Sequence, residues 1–182
     1  MGYEKASLRA IAGKAGMTSA GLYRHFKDKE EMFAVLVEPA LKKLRDCMSE
    51  HEREEYDRLR KRDLDSIFAD NMETHLFETV VYPNFDAFKL LLCRSAGTRY
   101  ENFVDRLVMT KVKTALAFLK HARSMGLPVR DVEERELHLL ITAYVTALTE
   151  SVVHDFTPEQ TCHYLQTHQA FFRPGFRAVL GI

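Results

Sequence analysis

The sequence contains no tryptophan, only three cysteines and five prolines, and no excess of charge of either sign, with 26 basic against 26 acidic side chains in 182 residues. Each shortage excludes something. Cys47, Cys93 and Cys162 are odd in number, far apart and free of a C-x-x-C partner, which argues against a disulfide framework or a zinc site and fits a reducing cytoplasm. No run of eighteen apolar residues exists and no signal-peptide pattern opens the chain, so the expectation is a cytoplasmic protein without a membrane partner. There is no H-E-x-x-H, P-loop or G-x-S-x-G, so no catalytic residue is assigned and the chain reads as a non-enzyme without a cofactor. The eight histidines are scattered, and His163 and His168 stand five apart, a poor spacing for one helix face, so no metal site is expected.

What is present is apolar residue at helical spacing. Hydrophobic residues make up 46% and charged residues 29%, enough for a core inside a solvated surface. Residues 6–29 read as two short helices across a tight turn, followed by the start of a third. Leu8, Ile11, Ala12 and Ala15 form one apolar face, Ser7 is placed to cap it, and Gly16 to end it. Thr18 or Ser19 caps the second helix, whose inward residues are Leu22 and Phe26. This is the helix-turn-helix pattern, with a second helix that fits the DNA major groove. Charge supports it. Residues 1–29 hold Lys5, Arg9, Lys14, Arg24, Lys27 and Lys29 against Glu4 and Asp28, six minus two or +4, so the remainder carries −4.

The run from Gly2-Tyr3 through S-L-R-x-I-A and A-G-M-T-S-A-G-L-Y-R-H-F to K-D-K-E-E-M-F resembles the DNA-binding domain of TetR-type regulators. The resemblance implies an all-α fold, with a helix-turn-helix domain over 1–45 and a helical effector-binding and dimerisation domain over 46–182. It also implies DNA contacts. Thr18 and Ser19 match the recognition-helix start, and Ala20 and Gly21 the positions of close approach to base edges. Tyr23 matches the backbone contact, Arg24 and His25 reach phosphate or bases, and Lys29 matches a phosphate-pairing cation. Members of this family carry an amphipathic helix before the G-Y. The sequence given opens at Met1-Gly2-Tyr3, so Leu8, Ile11, Leu22 and Phe26 are expected to lose a packing partner. Two such side chains are worth roughly 3 to 6 kcal/mol. Truncation is the favoured explanation, a naturally short regulator the other.

Beyond the head the periodicity predicts helices over about 28–50, 64–81, 85–95, 99–125, 131–155 and from Thr157-Pro158 onward. Pro39 falls inside the first, and residues 50–63 are almost wholly charged, a helical extension or a connecting loop. The last two helices are apolar on more than one face, and the resemblance assigns them a homodimer interface. It also implies a cavity for a largely apolar small-molecule effector, with Phe68, Met72, His75, Phe88, Leu92, Tyr100, Phe103, Phe118 and Tyr144 as inward candidates. The sequence thus predicts a ligand-responsive repressor that binds double-stranded DNA as a homodimer. The alternative is a non-DNA-binding small-molecule-binding or heterodimerising relative of such regulators.

Overall fold

The computed structural model describes residues 2–4 and 6–182. Among these the regular structure is helical, without a strand. The head holds α1 (Leu8–Lys14) and α2 (Ser19–His25). The Ser7 hydroxyl accepts from the Ala10 N–H and the Thr18 hydroxyl from the Gly21 N–H, so both short helices start on side-chain caps. Between them Gly16 takes φ +66°, and the Gly16 and Met17 N–H groups bond back to Gly13 and Ala12. That paired return to the last carbonyls requires a left-handed residue and sets the sharp turn between the helices.

Asp28 caps α3 (Lys29–Arg60) through the Glu31 N–H at 2.8 Å. The helix runs ten residues past its predicted end at about 50, and Pro39 stands inside it. The charged segment 50–60 is therefore helix, and Arg58–Glu54 and Arg60–Asp57 pair along its surface in i,i+4 and i,i+3 steps. Phe33, Val37, Ala40, Leu41 and Leu44 set its buried stripe. Leu36 is 55% exposed because that stripe leaves it off to one side.

The predicted helix over 64–81 is instead broken. It divides into α4 (Leu64–Phe68) and α5 (Met72–Leu76), separated at Ala69-Asp70-Asn71. A wider π turn (Phe77–Val81) and a 3₁₀ turn (Tyr82–Asn84) then lead without a gap into α6 (Phe85–Cys93). Pro83 does not interrupt the chain, since it occupies the opening of the 3₁₀ turn, where a missing N–H costs nothing. The body is completed by α7 (Phe103–Ser124), α8 (Glu134–Val153) and α9 (Pro158–Leu180). Thr157 and Gln160 form a reciprocal capping box at the start of α9.

Two apolar clusters hold the body. One joins the first half of α3 to the π turn, α6, Tyr100, Phe103, Leu148 and Leu165. The second joins Leu59 to α7, α8 and Leu180. Lys89 ties α6 to α8 by donating to the Val152 and Val153 carbonyls at 3.2 and 2.8 Å, a cation at a helix C-terminus.

The head joins the body through the loop between α6 and α7. The Tyr3 N–H donates to Arg94, the Arg99 N–H to Glu30 at 3.1 Å, and the Tyr100 hydroxyl to Glu38 at 2.7 Å. Gly97, at φ +79°, is packed against the Glu4 side chain so closely that a Cβ would lie 2.8 Å from it.

Candidate functional site

In the head, the outward face of α2 carries Ala20, Tyr23, Arg24 and His25, all exposed, with Tyr23 at 56%. Thr18 is exposed but spends its hydroxyl on its own helix, and Ser19 and Gly21 are half-buried. Arg9, Lys14 and Lys27, from α1 and the chain after α2, are exposed as well, and Arg9 shares a concavity with Ser19 and Tyr23; Lys5 lies outside the described residues. Ser7, Arg9, Ser19, Tyr23 and Lys29 line one shallow concavity on this face.

Lys29, the expected phosphate-pairing cation, is half-buried and bonded within the head. Its ammonium donates to the Tyr3 and Ala6 carbonyls at 2.7 and 3.2 Å and sits 4.0 Å over the Tyr3 ring. Those bonds hold the chain entering α1, leaving less of the ammonium for a phosphate.

The apolar side of the head is incompletely covered. Leu22 is buried, as an inward position should be, but Leu8, Ile11 and Phe26 are only half-buried. Ile11, Met32, Phe33, Leu36 and Leu90 line an apolar groove between α1, α3 and α6.

With this geometry in hand, residues 1–36 match the family described as Bacterial regulatory proteins, tetR family. The head is that of a TetR-family regulator. The TetR match covers the two short helices and the first turns of α3 and carries the assignment of a DNA-binding regulator. No curated protein and no solved structure matches the chain. Among the described residues no helix is long and apolar enough to cross a membrane.

Below the TetR head, a cavity of about 260 Å³ lies between α3, α4, α5, α7, α8 and α9. Four of the nine expected residues line it: Phe68, Met72, Phe118 and Tyr144. The other five do not. His75 is exposed, because the break at 69–71 resets the helical phase before α5. Phe88, Leu92 and Phe103 pack in or against the α3–α6 cluster, and Tyr100 is held there by its bond to Glu38.

The sequence reading missed the polar half of the cavity. His51, Glu52 and Glu55 come from the charged run on α3, Asp70 and Glu73 from the break and α5, Lys111 from α7 and Arg173 from α9. Glu73 is the centre of a network. It accepts from the Tyr144 hydroxyl at 2.6 Å, Gln169 at 2.9 Å and Arg173 at 3.2 Å. Arg173 also donates to the Asp70 carbonyl, and Arg58 pairs with the Asp70 carboxylate. Burial, then the adjacent Glu73 charge, pushes the Tyr144 phenol well above its ordinary range, so it remains a neutral donor. His51, Glu54 and Asp70 bring ligand-type atoms within 4.8 Å of one another, but Arg58 already bonds both carboxylates of that cluster.

Behind Tyr144 lies His168, 3% exposed, whose Nε2 is 3.1 Å from the Tyr144 carbonyl. Its Nδ1 is buried with no hydrogen-bond partner among the described residues. Burial lowers its pKa below the ordinary value of 6.5; Glu73 acts in the opposite sense and Arg173 in the same. The folded ring therefore stays neutral at pH values where the unfolded one takes up a proton. Its contribution to stability is present above pH 6.5 and is lost as pH falls from there towards the lowered folded value. Replacing His168 with Gln is expected to flatten the stability–pH curve between about pH 7 and 5 by at most one proton, about 1.4 kcal/mol per pH unit. Urea denaturation across that range checks it; an unchanged slope contradicts the assignment.

Proposed function

We propose that this regulator is a ligand-responsive repressor that binds a palindromic operator as a homodimer and is released by a small-molecule effector. The head, residues 1–45, reads DNA, and the body, residues 46–182, binds the effector and the partner copy. The observation that carries the reading is the exposed face of α2 inside a TetR-matching segment that also exposes Arg9, Lys14, Arg24 and Lys27. In this reading the exposed basic side chains supply salt-sensitive phosphate attraction, and Ala20, Gly21 and Arg24 meet base edges.

The last two helices support the dimer. Leu137, Ile141, Leu148 and Leu165 point inward, whereas Leu139 is 68% and Phe171 75% exposed, with Leu140 and Val179 beside them on the same helices. Large apolar side chains left to water on one helix pair mark an interaction face. Two copies joined there would present two recognition helices to half-sites one DNA turn apart.

For release, α3 supplies both the first turns of the TetR match and, through His51, Glu52, Glu55 and Tyr56, one wall of the body cavity. An effector that binds the DNA-incompetent arrangement more tightly shifts α3, and with it the spacing of the recognition helices; equal affinity for both states shifts nothing. Such a protein acts by binding, not catalysis, and works in the cytoplasm.

The experiment is operator binding by three variants at two salt concentrations. Arg24→Ala and Tyr23→Ala are expected to weaken binding, with Arg24→Ala reducing the log–log salt slope by about 1. Lys29→Ala is expected to act differently, lowering the thermal stability of the head through loss of the bonds to Tyr3 and Ala6. Unchanged affinity and slope in Tyr23→Ala and Arg24→Ala would remove α2 from the interface.

A further inference from the structure

The cavity wall carries a charge pattern that selects among effectors, an inference that rests on reading this cavity as the effector site. Five aromatic rings line it, from Tyr56, Phe68, Phe118, Tyr144 and Phe176, with Tyr56 and Phe118 packed edge to face at 5.7 Å. Its charged lining is four carboxylates (Glu52, Glu55, Asp70, Glu73) against Lys111 and Arg173, four minus two or −2. Counting Arg58, which reaches Asp70 from outside the lining, leaves −1.

How these charges are spent matters more than their sum. Glu73 is held by Arg173, Tyr144 and Gln169, and Asp70 by Arg58, so these two are satisfied within the fold. Glu52 and Glu55 have no Lys or Arg within ion-pair distance among the described residues, and Glu55 meets only the His51 ring, at 3.3 Å. Both are half-buried, and Glu52 stands one helical turn before Tyr56 on the same face of α3. Burial and then the charges of Glu52 and Glu55 raise the Tyr56 phenol pKa, which reports the sign of the field at that ring. The opposing charge is Lys111, whose ammonium lies 5.9 Å from the Tyr144 ring centre.

We infer that the cavity selects an amphipathic aromatic cation, its rings against Tyr56 and Phe118 and its positive charge toward Glu52 and Glu55. Aromatic faces and partly desolvated carboxylates both stabilise a cation. An uncharged ligand of the same shape gains only the apolar contact, and an anion meets two uncompensated carboxylates for one lysine.

The test compares three probes of one ring size on the full chain by calorimetric titration near neutral pH: N-methylphenanthridinium, phenanthridine and phenanthrene-9-carboxylate. The cation is expected to bind at least about tenfold more tightly than the neutral ring, with the carboxylate weakest. In Glu52→Gln/Glu55→Gln that tenfold advantage disappears, whereas Lys111→Met leaves it intact or enlarges it. Equal binding of cation and neutral ring, preference for the carboxylate, or no binding by any probe overturns the inference, and these arms need only the unmodified chain. Operator release is measured separately. A cation that binds with the expected dependence but leaves DNA binding unchanged overturns the effector reading and supports the ligand class. A neutral or anionic probe that outbinds the cation and releases operator does the reverse.

Discussion

Leu139→Glu combined with Phe171→Glu is expected to give a folded monomer whose operator affinity is at least about 100-fold lower. Both side chains are mostly in water in the single chain, at 68% and 75% exposure, so their replacement removes little packing and the melting temperature should move by only a few degrees. In a dimer through α8 and α9 the same positions meet the partner copy. Four carboxylates would then be brought into an apolar seam, where uncompensated charge costs several kcal/mol. A monomer engages one half-site at a time and forfeits much of the roughly 10³- to 10⁷-fold margin that separates specific from non-specific binding. Sedimentation equilibrium and fluorescence anisotropy on the same samples check both parts. A persistent dimer with unchanged operator affinity would place the interface elsewhere.

Arg173→Met is expected to destabilise the chain by about 3 kcal/mol, the largest effect among substitutions near the cavity. The Glu73 side chain is 11% exposed and Arg173 24%, and their contact at 3.2 Å is supported by Tyr144 and Gln169. Removing the guanidinium strands a buried carboxylate and also releases the Asp70 carbonyl, on which the break between α4 and α5 is held. The Glu73→Gln/Arg173→Met double variant should recover part of the loss, because an amide can still accept from Tyr144 without an unpaired charge. The pH dependence separates this from a packing defect. Burial pushes the Glu73 pKa up, but the Tyr144 hydrogen bond, its backbone bonding and the Arg173 charge outweigh it and hold the carboxyl below 4.5. A lowered folded pKa means stability that is present above pH 4.5 and lost as pH falls through the folded value. Without Arg173 the folded pKa should rise, so this acid loss should shrink or reverse and the destabilisation relative to the unmodified chain should lessen as pH falls through 4.5, while a variant that merely loses packing would shift the whole curve without changing its slope. Urea denaturation at several pH values measures both.

The parts of the fold that could be read from the sequence are those set by neighbours along the chain. Ser7, Thr18, Asp28 and Thr157 each cap the helix they precede, and Gly16 adopts the left-handed turn, since each acts within a few residues. The break at Ala69-Asp70-Asn71 was not legible. Nothing in those residues forbids a helix; the break is held by Arg58 and Arg173, which arrive from α3 and α9. The π turn at Phe77–Val81 is likewise a tertiary outcome, burying Phe77, Val80 and Val81 against α3 and α6.

The candidate sites divide the same way. The outward face of α2 followed from its apolar positions at Leu22 and Phe26. The bonds of Lys29 to Tyr3 and Ala6 did not, because they come from the chain folding back across α3. The cavity was half legible. Its aromatic wall stands on apolar periodicity, whereas Glu52 and Glu55 sit in a charged run that reads as a solvated surface. The i,i+4 step from Glu52 to Tyr56 and the i,i+3 step from Glu52 to Glu55 were the available signal once that run is taken as helix.

The most direct test of the central claim is selection of bound sequences from a pool of random duplex DNA at two salt concentrations. A sequence-reading dimer predicts enrichment of a palindrome with half-sites about one helical turn apart, and an affinity that falls steeply as salt rises. Retention indifferent to sequence, or with no dependence on salt, would contradict it.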